Sequence, residues 1–225
     1  MHLMIDLETL STAVDAAITQ IGLAPFRIDG TDPLEEGVLI NVDPQSCIDL
    51  GMRVDWSTTH WWMMQSQEAR DALPRLGEGL PLADALDEVE DYILGLAQRH
   101  PGDLKIWSNG ATFDIPILGH AFTRLGRREP WRYSAARDTR TLAMLALNAI
   151  RPEPEVKHNA LHDAVAQVRW VQNMWREAQG GLVSCGPAPG GAGEVIAGER
   201  GERGGEDAAP PSGLASLGST LPERE

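Results

Sequence analysis

The stretch His2-Leu3-Met4-Ile5-Asp6-Leu7-Glu8-Thr9 decides the fold, because it is a short apolar run that ends in two acids. A run of this kind predicts a buried strand over residues 2–8. Residues i and i+2 of a strand point to the same face, so we expect Asp6 and Glu8 to leave the end of a core strand together. Two adjacent buried charges of one sign need a positive partner, and Mg²⁺ or Mn²⁺ would supply it. A strand end that has merely reached solvent would need none.

The composition is that of an ordinary globular chain of 225 residues, with 42% apolar and 23% charged residues. No apolar stretch approaches the roughly 20 residues of a membrane span, and no secretory leader is visible, so we expect no membrane association. Cys47 and Cys185 lie far apart, which argues against a disulfide framework and favours a cytoplasmic setting. The net charge of −14 argues against broad coating of a nucleic-acid duplex, but it permits a protein that holds a strand end through metal ions.

The glycine and proline content changes near residue 180. Residues 180–225 hold 12 of the 23 glycines and show no helical or strand periodicity. Such a segment buries too little apolar area to offset the entropy of ordering it. We therefore predict one domain over residues 1–179, followed by a disordered Gly/Pro/Glu-rich tail over residues 180–225.

The pattern of elements within that domain predicts an α/β fold. Turn-rich links join three predicted strands into an antiparallel meander, at 2–8, 17–27 and 37–42. A fourth strand is predicted at 103–108, and helices are predicted at 57–72, 82–99, 113–125, 139–149 and 160–178. Strands first, and then strands alternating with helices, predict a mixed sheet in which parallel strands join the meander and helices flank both.

A third acid, Asp114, stands where the fourth predicted strand gives way to a helix. It follows the turn signal Asn109-Gly110 and begins a helix whose apolar residues include Ile117. An acid in the first turn of a helix can simply favour the helix dipole. It can equally supply a carboxylate to a site at the strand end, so both interpretations stay open at this point.

A histidine and a fourth acid begin the last predicted helix. Pro152 and Pro154 keep the preceding segment non-helical, so we expect His158 on a loop, with Asp163 one turn inside the helix. A loop histidine suits a general base because histidine ordinarily titrates near neutrality. A solvated histidine and a surface acid are the alternative. His162 competes as the base, but its helical position aims it differently from Asp163.

These features fit one chemistry. The four carboxylates of Asp6, Glu8, Asp114 and Asp163 can hold two divalent ions roughly 3.5–4 Å apart. One ion activates a water, and both stabilise the attacking and leaving oxygens of a phosphodiester. His158 would take the proton from that water.

Three motifs carry a resemblance to a known family: Asp6-Leu7-Glu8-Thr9, Asn109-Gly110-Ala111-Thr112-Phe113-Asp114 and His158-Asn159-Ala160-Leu161-His162-Asp163-Ala164. Over residues 1–178 the chain resembles a DEDDh-type 3′–5′ exonuclease of the ribonuclease H-like superfamily. Within that group it is similar to the prophage exodeoxyribonuclease VIII-like branch and to the adenylate-specific exoribonuclease RNase AS.

The resemblance implies a ribonuclease H-like fold, metal ligation by the four carboxylates and a general base at His158. It also implies that the backbone around Thr9 and Leu10 holds the terminal nucleotide, and that the chain can form a homodimer. Asn109 is a further candidate for substrate binding, although an Asn-Gly turn alone would explain it.

We therefore expect a metal-dependent 3′–5′ exonuclease that releases nucleoside 5′-monophosphates from the 3′ end of single-stranded RNA or DNA. One alternative is a non-cleaving module that binds nucleic-acid 3′ ends on the same fold. Another is an endonuclease or transposase-like enzyme with a ribonuclease H fold. Choosing between RNA and DNA depends on contacts to the 2′-hydroxyl, which no residue of the sequence identifies.

Two further groups of residues could meet a nucleic acid. Trp61 and Trp62 lie about 100° apart on the predicted helix 57–72, so we expect one in the core and the other at the surface, where it can stack on a base. A set of arginines is a candidate strand-guiding patch, with a solvated face as the alternative: Arg124, Arg127, Arg128, Arg132, Arg137 and Arg140.

Overall fold

A five-stranded mixed sheet forms the centre of the fold in this computed structural model, which describes residues 1–30, 36–74, 77–110 and 112–184. Its strands are β1 (His2–Thr9), β2 (Ile18–Phe26), β3 (Val38–Asn41), β4 (Lys105–Ser108) and β5 (Ala136–Asp138), in the order β3-β2-β1-β4-β5. The first three strands pair antiparallel, whereas β1 pairs parallel with β4, and β4 with β5. The predicted mixed sheet, with an antiparallel meander and added parallel strands, is confirmed.

Side chains of β1 alternate between two apolar layers. Leu3, Ile5 and Leu7 pack in a core on one face of the sheet. Met4 packs on the opposite face, in a second core that includes Val168. Strand geometry produces this alternation, and burial on both faces makes β1 a central strand. Its carboxyl end therefore opens from the middle of the domain.

In the described ranges, seven α-helices flank the sheet: α1 (Pro44–Asp49), α2 (Trp56–Met63), α3 (Gln67–Ala72), α4 (Leu82–Arg99), α5 (Asp114–Arg124), α6 (Thr139–Ala143) and α7 (Ala160–Ser184). The predicted helix over 82–99 is confirmed, and its apolar stripe is buried. Helices α4 and α5 contribute to the core that contains Ile5, while α7 contributes to the core that contains Met4.

Helix α7 approaches strand β2 closely because position 22 is glycine. A Cβ atom on Gly22 would lie 2.2 Å from the backbone carbonyl of Ala160, the first residue of the helix. Gly22 also pairs with Asp6 across β1 and β2. The glycine therefore lets the beginning of α7, including Asp163, lie beside the acidic end of β1.

Two predicted helices differ from the structure. The helix predicted over 57–72 is wrong as a single element, since α2 ends at Met63 and α3 starts at Gln67. Ser66 separates them because its side chain caps α3 by accepting a hydrogen bond from the Ala69 N–H. The helix predicted over 139–149 ends at Ala143. Most apolar side chains that follow are exposed, so no buried face sustains the helix there.

Helix α7 continues to Ser184, past residue 179, where the domain was predicted to end. The predicted tail, with Cys185, lies outside the described residues from residue 185 onward and stays a prediction. Within the described ranges, no helix combines the length and apolarity needed to cross a membrane.

Candidate active site

Three elements bring the four predicted carboxylates to one cavity beside the carboxyl ends of β1 and β4. Strand β1 supplies Asp6 and Glu8, α5 supplies Asp114 at its first residue, and α7 supplies Asp163 in its first turn. The cavity has a volume of about 210 Å³, and His158 also lines it. The structure therefore collects all five predicted catalytic positions, although they come from three segments that are far apart in sequence.

Hydrogen bonds fix three of the carboxylates. Asp114 Oδ1 accepts the Leu7 N–H at 3.0 Å, which ties the start of α5 to β1. Asp163 Oδ2 accepts the His158 N–H at 2.7 Å. Asp6 Oδ1 accepts a hydrogen bond of 2.6 Å from Gln167 Nε2. Helix capping is therefore not a sufficient account of Asp114, because its carboxylate reaches across to the strand that bears the acid pair.

The site is electrostatically unfavourable for four free carboxylates. Burial, followed by repulsion from neighbouring acids, raises the pKa of Asp6 well above its ordinary value and that of Glu8 to about 8. Burial also raises the pKa of Asp114 to about 7, against the opposing effects of the Leu7 N–H and Arg140. The pKa of Asp163 is raised by burial as well. Such a cluster holds protons at neutral pH unless a cation replaces them.

His158 is held by two tryptophans of α2. Its ring meets Trp61 and Trp62 edge to face, with centroid distances of 4.8 and 5.8 Å. Its backbone is left-handed, with φ at 62°. Trp62 is 4% exposed and Trp61 is 43% exposed, which confirms the prediction of one core and one surface tryptophan. Trp62 Nε1 donates to the Thr9 carbonyl at 2.9 Å, so the pair links the end of β1 to the His158 loop.

The donor set fits a divalent cation. Within the described ranges, the side chains of Glu8, His158 and Asp163 each place one ligand atom within 4.8 Å of the others. Carboxylate oxygens are the ligands that Mg²⁺ and Mn²⁺ prefer, and a cation between these neighbouring acids would offset their mutual repulsion. This group contains His158, which was expected as a base and not as a ligand.

The residues expected to bind substrate occupy different settings. Asn109 lines the cavity, and its Oδ1 accepts a hydrogen bond from Thr139 Oγ1 at 2.9 Å. Thr9 is buried, and its hydroxyl donates to the Ser11 carbonyl. Leu10 packs partly buried against the core. Asn109 is therefore the member of this set that borders the carboxylates.

His162, the competing base, is engaged elsewhere. Its Nδ1 accepts the Val156 N–H at 3.2 Å, and the side chain lines a separate cavity with Glu153 and Arg169. The expectation that its helical position aims it away from Asp163 agrees with this placement.

A second cavity, of about 450 Å³, adjoins the carboxylates. It shares Leu7, Glu8 and Phe113 with the first cavity, and Trp61 forms part of its wall. Three hydroxyl side chains complete its lining: Thr12, Ser57 and Thr58. Aromatic and apolar walls with a few hydroxyl groups are typical of a small-molecule or nucleoside site.

The predicted arginine patch is divided among separate contacts. Arg127 pairs with Asp87 and Glu90, Arg132 pairs with Asp103, and Arg124 donates to the Leu50 carbonyl. Arg140 lies close enough to Asp114 to lower the pKa of that acid. The six arginines therefore do not form one surface beside the cavity.

Two residues that sequence reasoning missed line the cavity, Gln167 and Arg151. Gln167 lies four residues after Asp163 on α7 and hence on the same helix face, so helical spacing could have identified it. Arg151 precedes the proline pair in an irregular segment, and no periodicity pointed to it.

Comparison with known proteins places these motifs in a family. The model of the 3′-5′ exoribonuclease Rv2179c-like domain matches residues 1–175. The exodeoxyribonuclease of Enterobacteria phage T4 is 27% identical over 208 residues, covering 79% of this chain and 90% of the phage protein.

A solved structure shows the same fold. A full-length 3′-exonuclease superimposes with a TM-score of 0.51 at 12% identity, covering 78% of this chain. The present chain spans 60% of the length of that protein. A structure described as 3′-end specific recognition of histone mRNA stem-loop by 3′-exonuclease has a TM-score of 0.49 at 12% identity, covering 78% of this chain and 81% of that one. The predicted ribonuclease H-like fold is confirmed.

Proposed function

We propose that this chain, which belongs to the family of Rv2179c-like 3′-5′ exoribonuclease domains, is a metal-dependent 3′–5′ exonuclease of the DEDDh type. The reaction is hydrolysis of the last phosphodiester of a single strand, with release of a nucleoside 5′-monophosphate. The cofactors are two divalent cations, Mg²⁺ or Mn²⁺, bound by Asp6, Glu8, Asp114 and Asp163.

One observation carries this proposal: four carboxyl groups from three elements line a single cavity, and the pKa of each is raised. Such a cluster destabilises the fold, because buried like charges repel. A divalent cation would offset this repulsion and would supply a centre that binds a phosphodiester.

In the proposed mechanism, Asp6, Glu8, Asp114 and Asp163 would hold the divalent cations, which would supply polarisation of the scissile phosphate and of the attacking water. His158 takes the proton from that water as general base. Asp163 accepts the His158 backbone N–H, and the ring edges of Trp61 and Trp62 limit the rotation of the imidazole. The histidine is thus held beside the carboxylates before substrate arrives.

The cavity of about 450 Å³ next to Glu8 is the proposed site of the terminal nucleoside. Trp61 and Phe113 offer rings on which a base can stack, and stacking accepts every base because each has a π face. Thr12, Ser57 and Thr58 offer hydroxyl groups for the sugar or base edge. The role of the Thr9 and Leu10 backbone stays a prediction, which the Trp62 bond to the Thr9 carbonyl supports by linking that segment to the same wall.

The proposed substrate is a single strand of RNA or DNA. The matching family is described as exoribonuclease, whereas the phage relative is named an exodeoxyribonuclease. The direct test uses 5′-labelled single strands of RNA and DNA, each in linear and circular form, with Mn²⁺ or with EDTA. We expect stepwise shortening of the linear strands with Mn²⁺ only. Binding without shortening would identify a non-cleaving module, and cutting of the circles would identify an endonuclease.

We also propose that this chain forms a homodimer. Several large apolar side chains after α6 are exposed, which is typical of surfaces that meet another protein: Met144, Leu145, Leu147 and Ile150. Light scattering of the purified chain tests this, since a monomer mass at micromolar concentration would contradict it.

A further inference from the structure

Three cavities adjoin one another across the proposed active site. The central cavity holds the carboxylates, and the nucleoside cavity joins it at Glu8 and Phe113. A third cavity, of about 300 Å³, joins it at His158 and Asp163. The two outer cavities share no lining residue, and each joins the central cavity at its own set of residues.

Arg151 stands at the junction of the central and third cavities and lines both. It is the one Lys or Arg side chain among the described residues that line the central cavity. Its guanidinium lies 5.0 Å from the centroid of the Trp170 ring. Stacking of this kind holds the planar group by one face and leaves its N–H edge available.

Arg151 lies close enough to Glu153 and Asp163 for its charge to act on both carboxylates. Within the described part of the chain, no hydrogen bond or ion pair engages its guanidinium. The other cation of the third cavity, Lys157, pairs with Glu153 at 2.9 Å. Arg151 therefore supplies the available positive charge on this side of a chain whose net charge is −14.

We propose that Arg151 binds the phosphate on the 5′ side of the scissile one, in the strand that remains after cleavage. This subsite rests on the proposed exonuclease function. With the terminal nucleoside beside Glu8 and the scissile phosphate at the carboxylates, the retained strand leaves through the third cavity. Its next phosphate then meets the guanidinium, which binds phosphate through two parallel N–H groups.

Two substrates separate this role from a role at the scissile bond. A short single-stranded oligonucleotide has the 5′-side phosphate, whereas the p-nitrophenyl ester of thymidine 5′-monophosphate has only the phosphate that reacts. For the Arg151→Gln variant, we expect KM for the oligonucleotide to rise about tenfold, the effect of losing one charge-assisted hydrogen-bonded contact. Turnover of the p-nitrophenyl ester should fall much less, because this substrate has no phosphate on the 5′ side.

The salt dependence gives a second readout. A plot of log(kcat/KM) against log salt has a negative slope, and loss of one phosphate contact to a single strand makes this slope shallower by about 0.7. The matched control is Arg132→Gln, which removes an exposed charge that pairs with Asp103, before the amino end of β4. This control should leave the kinetics unchanged with both substrates.

Three results would overturn the assignment. Equal loss on both substrates would place Arg151 at the reacting phosphate, and no loss on either would deny it a substrate contact. If Arg132→Gln weakened oligonucleotide binding as much as Arg151→Gln, the effect would come from overall charge and not from the position of Arg151. Failure of the wild-type enzyme on both substrates would instead contradict the exonuclease proposal itself, and the subsite with it.

Discussion

Gln167 Nε2 donates a hydrogen bond of 2.6 Å to Asp6 Oδ1, joining helix α7 to strand β1 at the floor of the carboxylate cavity. Gln167 is 3% exposed, and its Oε1 is buried without a hydrogen-bond partner in the described residues. A donor that occupies one oxygen of Asp6 restricts the carboxylate to one orientation. Partners of this kind orient metal ligands and tune their affinity.

The first prediction concerns this bond. Replacing Gln167 by Leu keeps the volume but frees Asp6, so we expect the Kd for Mn²⁺ to rise by roughly tenfold or more. Isothermal titration measures it. Gln172→Leu is the matched control, because Gln172 lies on the same helix and donates to the Arg27 carbonyl, away from the cavity. Equal Mn²⁺ affinity in Gln167→Leu and wild type would contradict a role for Gln167 in orienting Asp6.

The second prediction concerns the contact between Trp61 and His158. Removing the ring in Trp61→Ala lets the His158 imidazole rotate. We therefore expect kcat at saturating strand concentration to fall about tenfold, because a general base contributes fully only when it is held in position. Trp61→Phe should recover most of it, since a smaller ring still meets His158. Trp56→Ala, on the same helix and exposed, serves as control. Identical kcat values in the Ala and Phe variants would speak against this positioning.

The third prediction follows from the raised pKa of Glu8. Its ordinary value of 4.5 applies to the unfolded chain, whereas the folded value is about 8. Between these values the folded chain binds more protons, so its stability falls as pH rises. Glu8→Gln does not titrate, and without divalent ions it should gain stability over wild type as pH rises from 4.5 to about 8.

Thermal melts in EDTA across this range measure the difference, and Mn²⁺ should stabilise the wild type most at the upper end, where the acids are ionised. If the melting temperatures of the two proteins changed with pH in the same way, Glu8 would have no raised pKa.

The fourth prediction concerns the approach of α7 to β2. A methyl group at Gly22 would overlap the Ala160 backbone, so Gly22→Ala should destabilise the fold by about 3 kcal/mol, at the upper end of overpacking costs. Urea unfolding measures it. Gly180 lies on α7 with open space around it, so Gly180→Ala should instead stabilise the fold by about 0.5–1 kcal/mol. A Gly22→Ala protein as stable as wild type would refute the close-approach argument.

The sequence predicted the positions of the acids better than the surroundings that orient them. Asp6 and Glu8 could be found because a short apolar run ends at them. Strand β5 has three residues and follows a short 3₁₀ turn, so it carries no periodicity to detect. Helix α1 has six residues and was missed for the same reason.

The contacts that shape the site are long-range, and this limits prediction from one sequence. Gln167 and Asp6 are 161 positions apart, and their hydrogen bond depends on the packing of α7 over β1. Because Trp61 and Trp62 are adjacent on a helix, the sequence predicted that one ring lies at the surface. The edge-to-face contact between Trp61 and His158 arises only when α2 folds against the loop before α7. Arg151 lacked any pattern at all.

The most direct test of the central claim measures release of labelled nucleoside 5′-monophosphate from a 3′-labelled single strand in Mn²⁺. The proteins to compare are wild type, Asp163→Asn and Asp103→Asn. An asparagine at 163 can still accept the His158 N–H that the carboxylate accepts, so the local fold is retained while the charge is lost. Asp103 lies in surface ion pairs with Lys105 and Arg132 and serves as the charge control. We predict release by wild type and Asp103→Asn and none by Asp163→Asn, whereas near-wild-type release by Asp163→Asn would contradict a carboxylate-built exonuclease centre.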